Sequence, residues 1–341
     1  MGRYGKLAAM PRWRHAWLVA RALGVWVLAL AASGTGLAQV TPGPGARAAG
    51  MAGAFVAVAD DATAIYWNPA GLATGPFFSG VVDWTSHESG PRGDSPEATP
   101  AQMGRPWFVG AATLPVGLAY YELESRTAEP QGTGATGRVT RLETRQFAAT
   151  LVQSLTPQVA VATSLRFVRG LVAEGEVSGT PPERLDLAGD LDERGRNAFD
   201  LDVGFLADLG KVRLGLVARN LVAPEFATSS GARLGMERTV RAGVAGRPRE
   251  GLTVAVDADL TRTTQGLAER RDLALGVEWT AVSDRLAVRG GGRFSTVGDV
   301  QPVAAAGISL GLPAGLWVDV HGSRGATDAD RSWGLAGRIG F

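Results

Sequence analysis

The chain ends in SWGLAGRIGF, residues 332–341, and this stretch alternates between two kinds of side chain. Every second residue, namely Trp333, Leu335, Gly337, Ile339 and Phe341, belongs to a mainly large and apolar set, and the residues between them are small except for Arg338. A period of two is typical of a β-strand, because successive side chains point to opposite faces. The stretch therefore predicts a strand with one apolar face and one small or charged face.

The same alternation recurs upstream, for example at 199–205, 252–261 and 272–279. Together with the positions of Pro and Gly, it divides the chain after residue 76 into about fourteen segments of roughly ten residues. The predicted strands lie at 77–85, 106–113, 116–124, 139–154, 158–169, 198–209, 211–221, 238–247, 251–262, 271–281, 285–294, 300–311, 315–323 and 332–341.

The links between these strands are alternately short and long. Tight turns such as 114–115 and 313–314 alternate with links such as 170–197. An even strand number with short turns on one side and long loops on the other is typical of outer-membrane barrels, and closure leaves no unpaired edge in lipid. We predict an all-β fold in which residues 77–341 form a transmembrane antiparallel β-barrel of about 14 strands. A soluble β-sandwich is the alternative for any single strand.

Composition excludes several classes of function. The formal net charge is +1, which argues against nucleic-acid binding, and the absence of Cys excludes disulfides, thiol nucleophiles and Cys-ligated metals. Only three His are present, and no hydrolase elbow, zinc-protease or Walker motif occurs. Asp257 and Asp259 share a strand face, but no third ligand or base accompanies them. We expect no catalytic residues, no metal and no cofactor, and therefore not an enzyme.

The first 38 residues have the three-part layout of a secretory signal peptide. Basic residues from Arg3 to Arg21 precede an apolar core at 22–32, and small residues lead to Ala38, after which we predict cleavage. An uncleaved anchor helix is the alternative, although the core is shorter than the ~20 residues that span a bilayer. With the barrel, this segment predicts export to the cell outer membrane, whose lipid would surround the chain.

Residues 39–76 lack the strand period and predict a compact plug inside the barrel. Asp60 or Asp61 is predicted to cap a short helix through Trp67, which Pro69 would end. A catalytic or calcium-binding carboxylate pair is the alternative for the two aspartates. Adjacent residues at a helix start point in different directions, so capping or a salt bridge to the barrel wall is favoured.

If the apolar faces point outward, many charged residues face the lumen. Because both signs occur in similar numbers, we predict ion pairs between neighbouring strands, with a permeation path as the alternative. His321 is expected to be a hydrogen-bonded lumen residue. The predicted lumen set is Asp200, Asp202, Asp208, Arg213, Arg219, Arg241, Asp257, Asp259, Glu278, Arg289, Asp319, His321 and Arg338.

The stretch GARAAGMAGAFVAVADDATAIYWNPAGLA, residues 45–73, resembles the N-terminal signature of the FadL-type outer-membrane transport family, most closely its PorV/PorQ-like branch. The matching runs are GMAGAF, ADDAT and YWNPAG. The resemblance implies that the head is a hatch in the periplasmic mouth of the barrel. The hatch and gating residues it implies are Gly50, Met51, Gly53, Phe55, Asp60, Asp61, Trp67, Asn68 and Pro69.

The resemblance also implies a function, passive transport of hydrophobic or amphipathic small molecules across the outer membrane. In the PorV-like branch the barrel would instead be a non-transporting accessory that docks proteins of a secretion system. A continuous apolar passage around Phe55 and Trp67 would favour transport, whereas a lumen filled by the hatch and paired charges would favour the accessory role. The terminal Phe341 resembles the recognition signal for the barrel-assembly machinery, a further expected partner.

Overall fold

The computed structural model describes residues 37–38, 43–90, 101–128, 136–265, 268–281, 285–298, 300–326 and 330–341. The predicted signal peptide, residues 1–38, lies outside the described residues except for Leu37 and Ala38. These two residues form a short strand that pairs with Leu234 and Gly235.

Fourteen antiparallel strands form a closed barrel, as predicted. The barrel strands are β1 (Phe78–Ser89), β2 (Trp107–Thr113), β3 (Val116–Ala128), β4 (Thr136–Thr156), β5 (Val159–Ser178), β6 (Arg194–Asp208), β7 (Val212–Arg219), β8 (Thr239–Arg249), β9 (Leu252–Asp259), β10 (Asp272–Ala281), β11 (Leu286–Ser295), β12 (Val303–Gly311), β13 (Leu316–Arg324) and β14 (Arg331–Gly340). Each strand pairs with its neighbours in sequence. The seam between β1 and β14, from Ser79↔Gly340 to Glu88↔Arg331, closes the barrel.

Shorter elements lie in the connections and before β1. No helix among the described residues is long and apolar enough to cross a membrane. The helices are α1 (Ala46–Gly50), α2 (Ala64–Trp67) and α3 (Pro181–Leu187), with 3-10 turns at Pro69–Thr74, Ala188–Asp190 and Pro313–Gly315, and the short strands are Ala101–Gly104, which continues β2, Glu225–Ala227, Arg233–Gly235, Thr263–Gln265 and Ala268–Arg270.

Two predicted strands prove much longer than the sequence indicated. β4 and β5, predicted at 139–154 and 158–169, have 21 and 20 residues. The extension of β5 is covered on both faces, since the cluster that contains Leu185 of α3 packs against the outward-facing Val177 and a hairpin packs on the inward-facing Val172. Where both faces of a strand are buried, apolar and polar residues no longer alternate. The alternation in the sequence therefore stops before the end of the strand. The predicted 170–197 loop is correspondingly only 179–193.

The outer face of the barrel is apolar and carries contacting aromatic pairs near the end with the long loops. Trp84 and Trp333 have ring centroids 4.8 Å apart, and Phe167 and Phe199 are 5.5 Å apart. At the short-turn end, Phe78 stacks on Phe341 at 5.3 Å beside the seam. An apolar band between aromatic girdles is the outer surface typical of outer-membrane barrels.

Substituting Leu335→Arg tests the lipid-facing surface. Leu335 lies on the outer face of β14 and is 51% exposed. An arginine near the bilayer midplane is expected to lower the free energy of unfolding by about 2–4 kcal/mol. Urea unfolding in lipid vesicles, followed by tryptophan fluorescence, measures the change, and Leu335→Met should behave like the unaltered chain. An arginine variant of unchanged stability would contradict a lipid-facing position.

Candidate functional site

The N-terminal segment 43–76, called the hatch below, lies inside the barrel. Its apolar residues, among them Phe55 and Ile65, form one buried cluster with inward-facing residues of the wall such as Phe108 and Ala274. A core formed by hatch and wall together means that the hatch fills the lumen at its own level.

The wall around the hatch is lined by glycines because the two backbones approach too closely for side chains. A Cβ at Gly291 would lie 2.5 Å from the carbonyl carbon of Met51, and one at Gly215 would lie 2.6 Å from the carbonyl oxygen of Val56. Real Cβ atoms do not approach other atoms so closely, so any larger residue would displace the hatch. The glycines whose missing side chains make room for the hatch are Gly117, Gly204, Gly215, Gly243, Gly276, Gly291 and Gly307.

Two wall carboxylates bind consecutive backbone amides of the hatch. Asp83 on β1 accepts hydrogen bonds from the amides of 45–46 at 2.9 and 2.7 Å, and Asp257 on β9 accepts from those of 55–56, both at 2.8 Å. The hatch has no strand partner, and buried amides require acceptors. These aspartates therefore supply the hydrogen-bond acceptors that a neighbouring strand would otherwise provide.

Arg47 joins the hatch to the wall at the short-turn end. Its Nε and Nη2 donate to both carboxylate oxygens of Glu278 at 2.8 Å, and its Nη1 contacts Asp60 at 2.5 Å. Arg289 Nε donates to the same Glu278 at 2.5 Å. Burial acts to lower the pKa of Arg47, but Asp60 and Glu278 outweigh it, so that its pKa lies well above the usual range. Arg47, Asp60, Glu278 and Arg289 are called the Arg47 cluster.

The helix prediction at Asp60 and Asp61 was wrong in position. α2 begins only at Ala64, after Thr63, because residues 60–63 form a turn in which Asp61 Oδ1 accepts from the Thr63 amide at 2.9 Å. The favoured alternative, a salt bridge to the wall, is present, since Asp60 lies 3.6 Å from Arg213. The helix ends at Trp67, before Pro69, as predicted.

Asn68 ties two parts of the hatch to β6. Its side chain is fully buried, and Nδ2 donates to the carbonyl of Val56 at 2.9 Å and to that of Phe205 at 3.1 Å. Its Oδ1 accepts from the Ala70 amide at 3.2 Å. Pro69 opens the following 3-10 turn, where no amide donor is needed. The predicted hatch turn is thus a hydrogen-bonded corner.

The upper surface of the hatch is aromatic and faces wall arginines. Arg219 lies 4.3 Å above the ring of Tyr66, and Trp67 packs edge-on against Phe55 at 6.1 Å. Gly53 adopts a left-handed backbone (φ 84°), and its carbonyl accepts from Arg241 Nη2 at 3.1 Å. The lumen around Phe55 and Trp67 is therefore filled by hatch and charged side chains.

The predicted lumen charges face inward and mostly pair across strands. Arg241 lies 3.0 Å from Asp259, and Arg338 lies 2.8 Å from Asp319. His321 departs from expectation, because it is buried and neither ring nitrogen has a hydrogen-bond partner in the described part of the chain.

Sequence reasoning missed Asp83 and Arg166, although both occupy inward positions of alternating strands. Arg166 on β5 is 2% exposed, and its Nη2 donates to Asp200 at 2.5 Å and to Asp202 at 2.7 Å. The same Nη2 donates to Asn220, just beyond β7, at 2.7 Å. Arg166, Asp200, Asp202 and Asn220 form a polar layer above the hatch, called the Arg166 cluster.

A cavity of about 240 Å³ lies between hatch and wall at the short-turn end. Its lining includes Arg47, Glu278, Arg289, Trp317 and Arg338 and is mainly polar. Within the described ranges, no group of three His, Asp or Glu side chains is placed to hold a metal ion.

Comparisons with known proteins identify the fold. A family model described as F plasmid transfer operon, TraF, protein matches residues 147–259, from β4 to β9. No curated protein matches the sequence. Among solved structures, a Pseudomonas aeruginosa FadL homologue has a TM-score of 0.63 at 11% identity, covering 88% of this chain and 99% of that one.

Two hydrocarbon channels are similar to the same extent. The CymD monoaromatic hydrocarbon channel has a TM-score of 0.61 at 12% identity, covering 87% of this chain and 96% of that one. The P. putida toluene transporter TodX has a TM-score of 0.60 at 11% identity, covering 89% and 99%. At such identities the likeness concerns the fold alone, which is the outer-membrane β-barrel fold of FadL-type hydrocarbon channels.

Gly291→Ala tests the close fit of hatch and wall. The added methyl group overlaps the Met51 backbone, and overpacking of this kind costs about 1–3 kcal/mol. We expect the hatch to shift and trypsin to cleave faster after Arg47, as measured by mass spectrometry of the folded protein. Gly337→Ala is the matched control, because a Cβ there meets no atom within 4 Å. Equal cleavage rates in the two variants would contradict the fit.

Proposed function

We propose that this protein is a passive outer-membrane channel for small hydrophobic or amphipathic molecules, with the hatch as its movable closure. The observation that carries the proposal is a closed barrel whose lumen is filled by a separate N-terminal segment, attached to the wall without strand pairing. The solved structures of hydrocarbon channels with the same fold support it.

The described conformation is closed, so passage requires the hatch to move. Its polar attachments include the carboxylates of Asp83, Asp257 and Glu278, whose hydrogen bonds water can replace. No step in this movement consumes a nucleotide or a cofactor, and the substrate would move down its own gradient.

The proposed orientation places the short turns in the periplasm and the long loops outside the cell, as in outer-membrane barrels generally. Outer-membrane lipid would contact the apolar belt. Phe341, exposed at the β1–β14 seam, is suitably placed for contact with the barrel-assembly machinery.

Loosening the hatch should raise permeability. Glu278→Gln removes the charge that pairs with Arg47 and Arg289, and breaking a buried pair costs about 3–5 kcal/mol. In liposomes we expect faster uptake of an apolar fluorescent probe, and faster still after deletion of residues 40–70. Glu88→Gln removes an exposed pair with Arg331 and should leave uptake unchanged. If the deletion does not change uptake, the channel role is excluded.

A second candidate function, a PorV-like accessory barrel, is favoured by a specific observation. The lumen around Phe55 and Trp67 holds hatch and paired charges in place of a continuous apolar passage. In addition, α3 lies on the outer wall beyond the apolar belt, where Leu187 is 43% exposed. A secreted partner could dock on this helix without entering the barrel.

Site-specific crosslinking tests the accessory role. A photo-crosslinker at Leu187 should capture an exported protein in intact cells, whereas one at Leu209, exposed at the short-turn end, should not. The captured protein should bind the purified barrel directly, and Arg126→Ala, which removes hydrogen bonds to the carbonyls of 185–186, should weaken that binding several-fold. No crosslink at Leu187 in cells would count against this function.

A further inference from the structure

The link between β7 and β8 folds back over the long-loop mouth of the barrel. It carries the hairpin of Glu225–Ala227 and Arg233–Gly235, whose turn is closed by the Thr228 amide donating to Ala232 at 2.8 Å. At the hairpin tip, Ser230 Oγ donates to Glu174 of β5 at 2.7 Å. The hairpin therefore rests on the inner wall through a few hydrogen bonds, and its second strand also pairs with Leu37–Ala38.

Phe226 points from this hairpin into an apolar recess of the wall. The side chain is 1% exposed and packs with the inward-facing residues Leu142, Val168 and Val172. Its ring covers Gly170, where a Cβ would lie 2.3 Å from Phe226 Cε1. Leu142, Val168, Gly170 and Val172 are called the Phe226 niche.

The niche is formed by the wall, whereas Phe226 belongs to the link, as do Leu234 and Met236 of the same buried cluster. All four niche residues lie on the long paired strands β4 and β5, whose ladder runs without a register shift from Thr136 to Ser154. Phe226, by contrast, lies on a three-residue strand. If the hairpin lifts, the niche keeps its shape and exposes apolar surface.

The floor of the niche is polar. Arg166 of the Arg166 cluster lies two positions before Val168 on the inner face of β5, about 7 Å away. The base of the hairpin link is attached to the same cluster, because the amides of Asn220 and Val222 donate to Asp202 at 2.8 Å and Asp200 at 3.0 Å. The link is thus anchored at its base by two buried aspartates, while its tip is held by exposed hydrogen bonds to Glu174.

We propose that the Phe226 niche is a binding site for a flat apolar ring of about phenyl size, and that Phe226 occupies it as an internal competitor. The phenyl ring already seated there shows the size and shape that the site accepts. This inference rests on the proposed function, since it names where an entering compound first binds, but its test does not require transport.

Removing the competitor should reveal the site. The full chain in detergent is titrated with fluorobenzene and followed by ¹⁹F NMR. Phe226→Ala should bind at least about tenfold more tightly than the unaltered chain, because apparent affinity scales with the open fraction of a site. In Phe226→Ala/Gly170→Leu the new side chain fills the niche, and the gain should disappear. The double variant also controls for partition of the probe into the micelle.

A second variant does not alter the niche. Glu174→Gln with Ser230→Ala weakens the hairpin tip and should raise affinity in the same direction by a smaller factor. Arg262→Ala, which removes an exposed ion pair from another connection, should have no effect. Circular dichroism and heat-modified migration show that each variant is folded.

The outcomes separate the site from the channel. Tighter binding by the tip variant, together with a gain in Phe226→Ala that is lost when the niche is filled, supports the site, even if liposome uptake is absent and the channel role fails. If the tip variant does not bind more tightly, the gain in Phe226→Ala reports only a cavity left by the deleted ring, and the site is refuted, as it is if that gain persists with Gly170→Leu.

Discussion

The structure depends on the absence of side chains from the barrel wall where the hatch passes. Glycines on seven strands let the hatch backbone lie directly against the wall, as Gly50 does against Gly307, where a Cβ on Gly50 would lie 3.1 Å from the other Cα. At such short distances no water layer can hydrate the hatch amides. The wall therefore supplies their acceptors, and Asp83 and Asp257 become structural necessities. Tight packing and buried charge are two results of the same constraint.

The lumen is built in layers along the barrel axis. From the short-turn end these are the Arg47 cluster, the glycine-lined belt around the hatch, the aromatic surface of Tyr66 and Trp67, the Arg166 cluster and the Phe226 niche. Polar and apolar layers alternate, so an ion would have to break buried pairs while an apolar molecule would have to cross charged layers. Removing one partner of a buried pair costs about 3–5 kcal/mol, so the buried pairs of the described conformation oppose both kinds of passage.

The strands were predictable because lipid and lumen impose unlike faces on every segment. Prediction failed where that asymmetry ends, at the extension of β5, where both faces are buried at 170–173. The lumen-facing positions of Asp83 and Arg166 could have been predicted, because each falls on the inward-facing set of alternate residues in its strand. The hatch contacts could not, because Phe55 meets a carboxylate 202 residues away, and no local pattern encodes such a pairing. For the same reason the wall glycines look like ordinary strand glycines until the hatch is in place.

The position of the seam has a consequence for assembly. The hatch precedes β1 in the chain, and the barrel closes only when β14, the last strand, pairs with β1. α1 contacts β11, β12, β13 and β14 as well as β1, so it touches both sides of that seam. Its contacts therefore stabilise, from inside the ring, the pairing of the first and last strands, which is the pairing that closes the longest loop of the barrel.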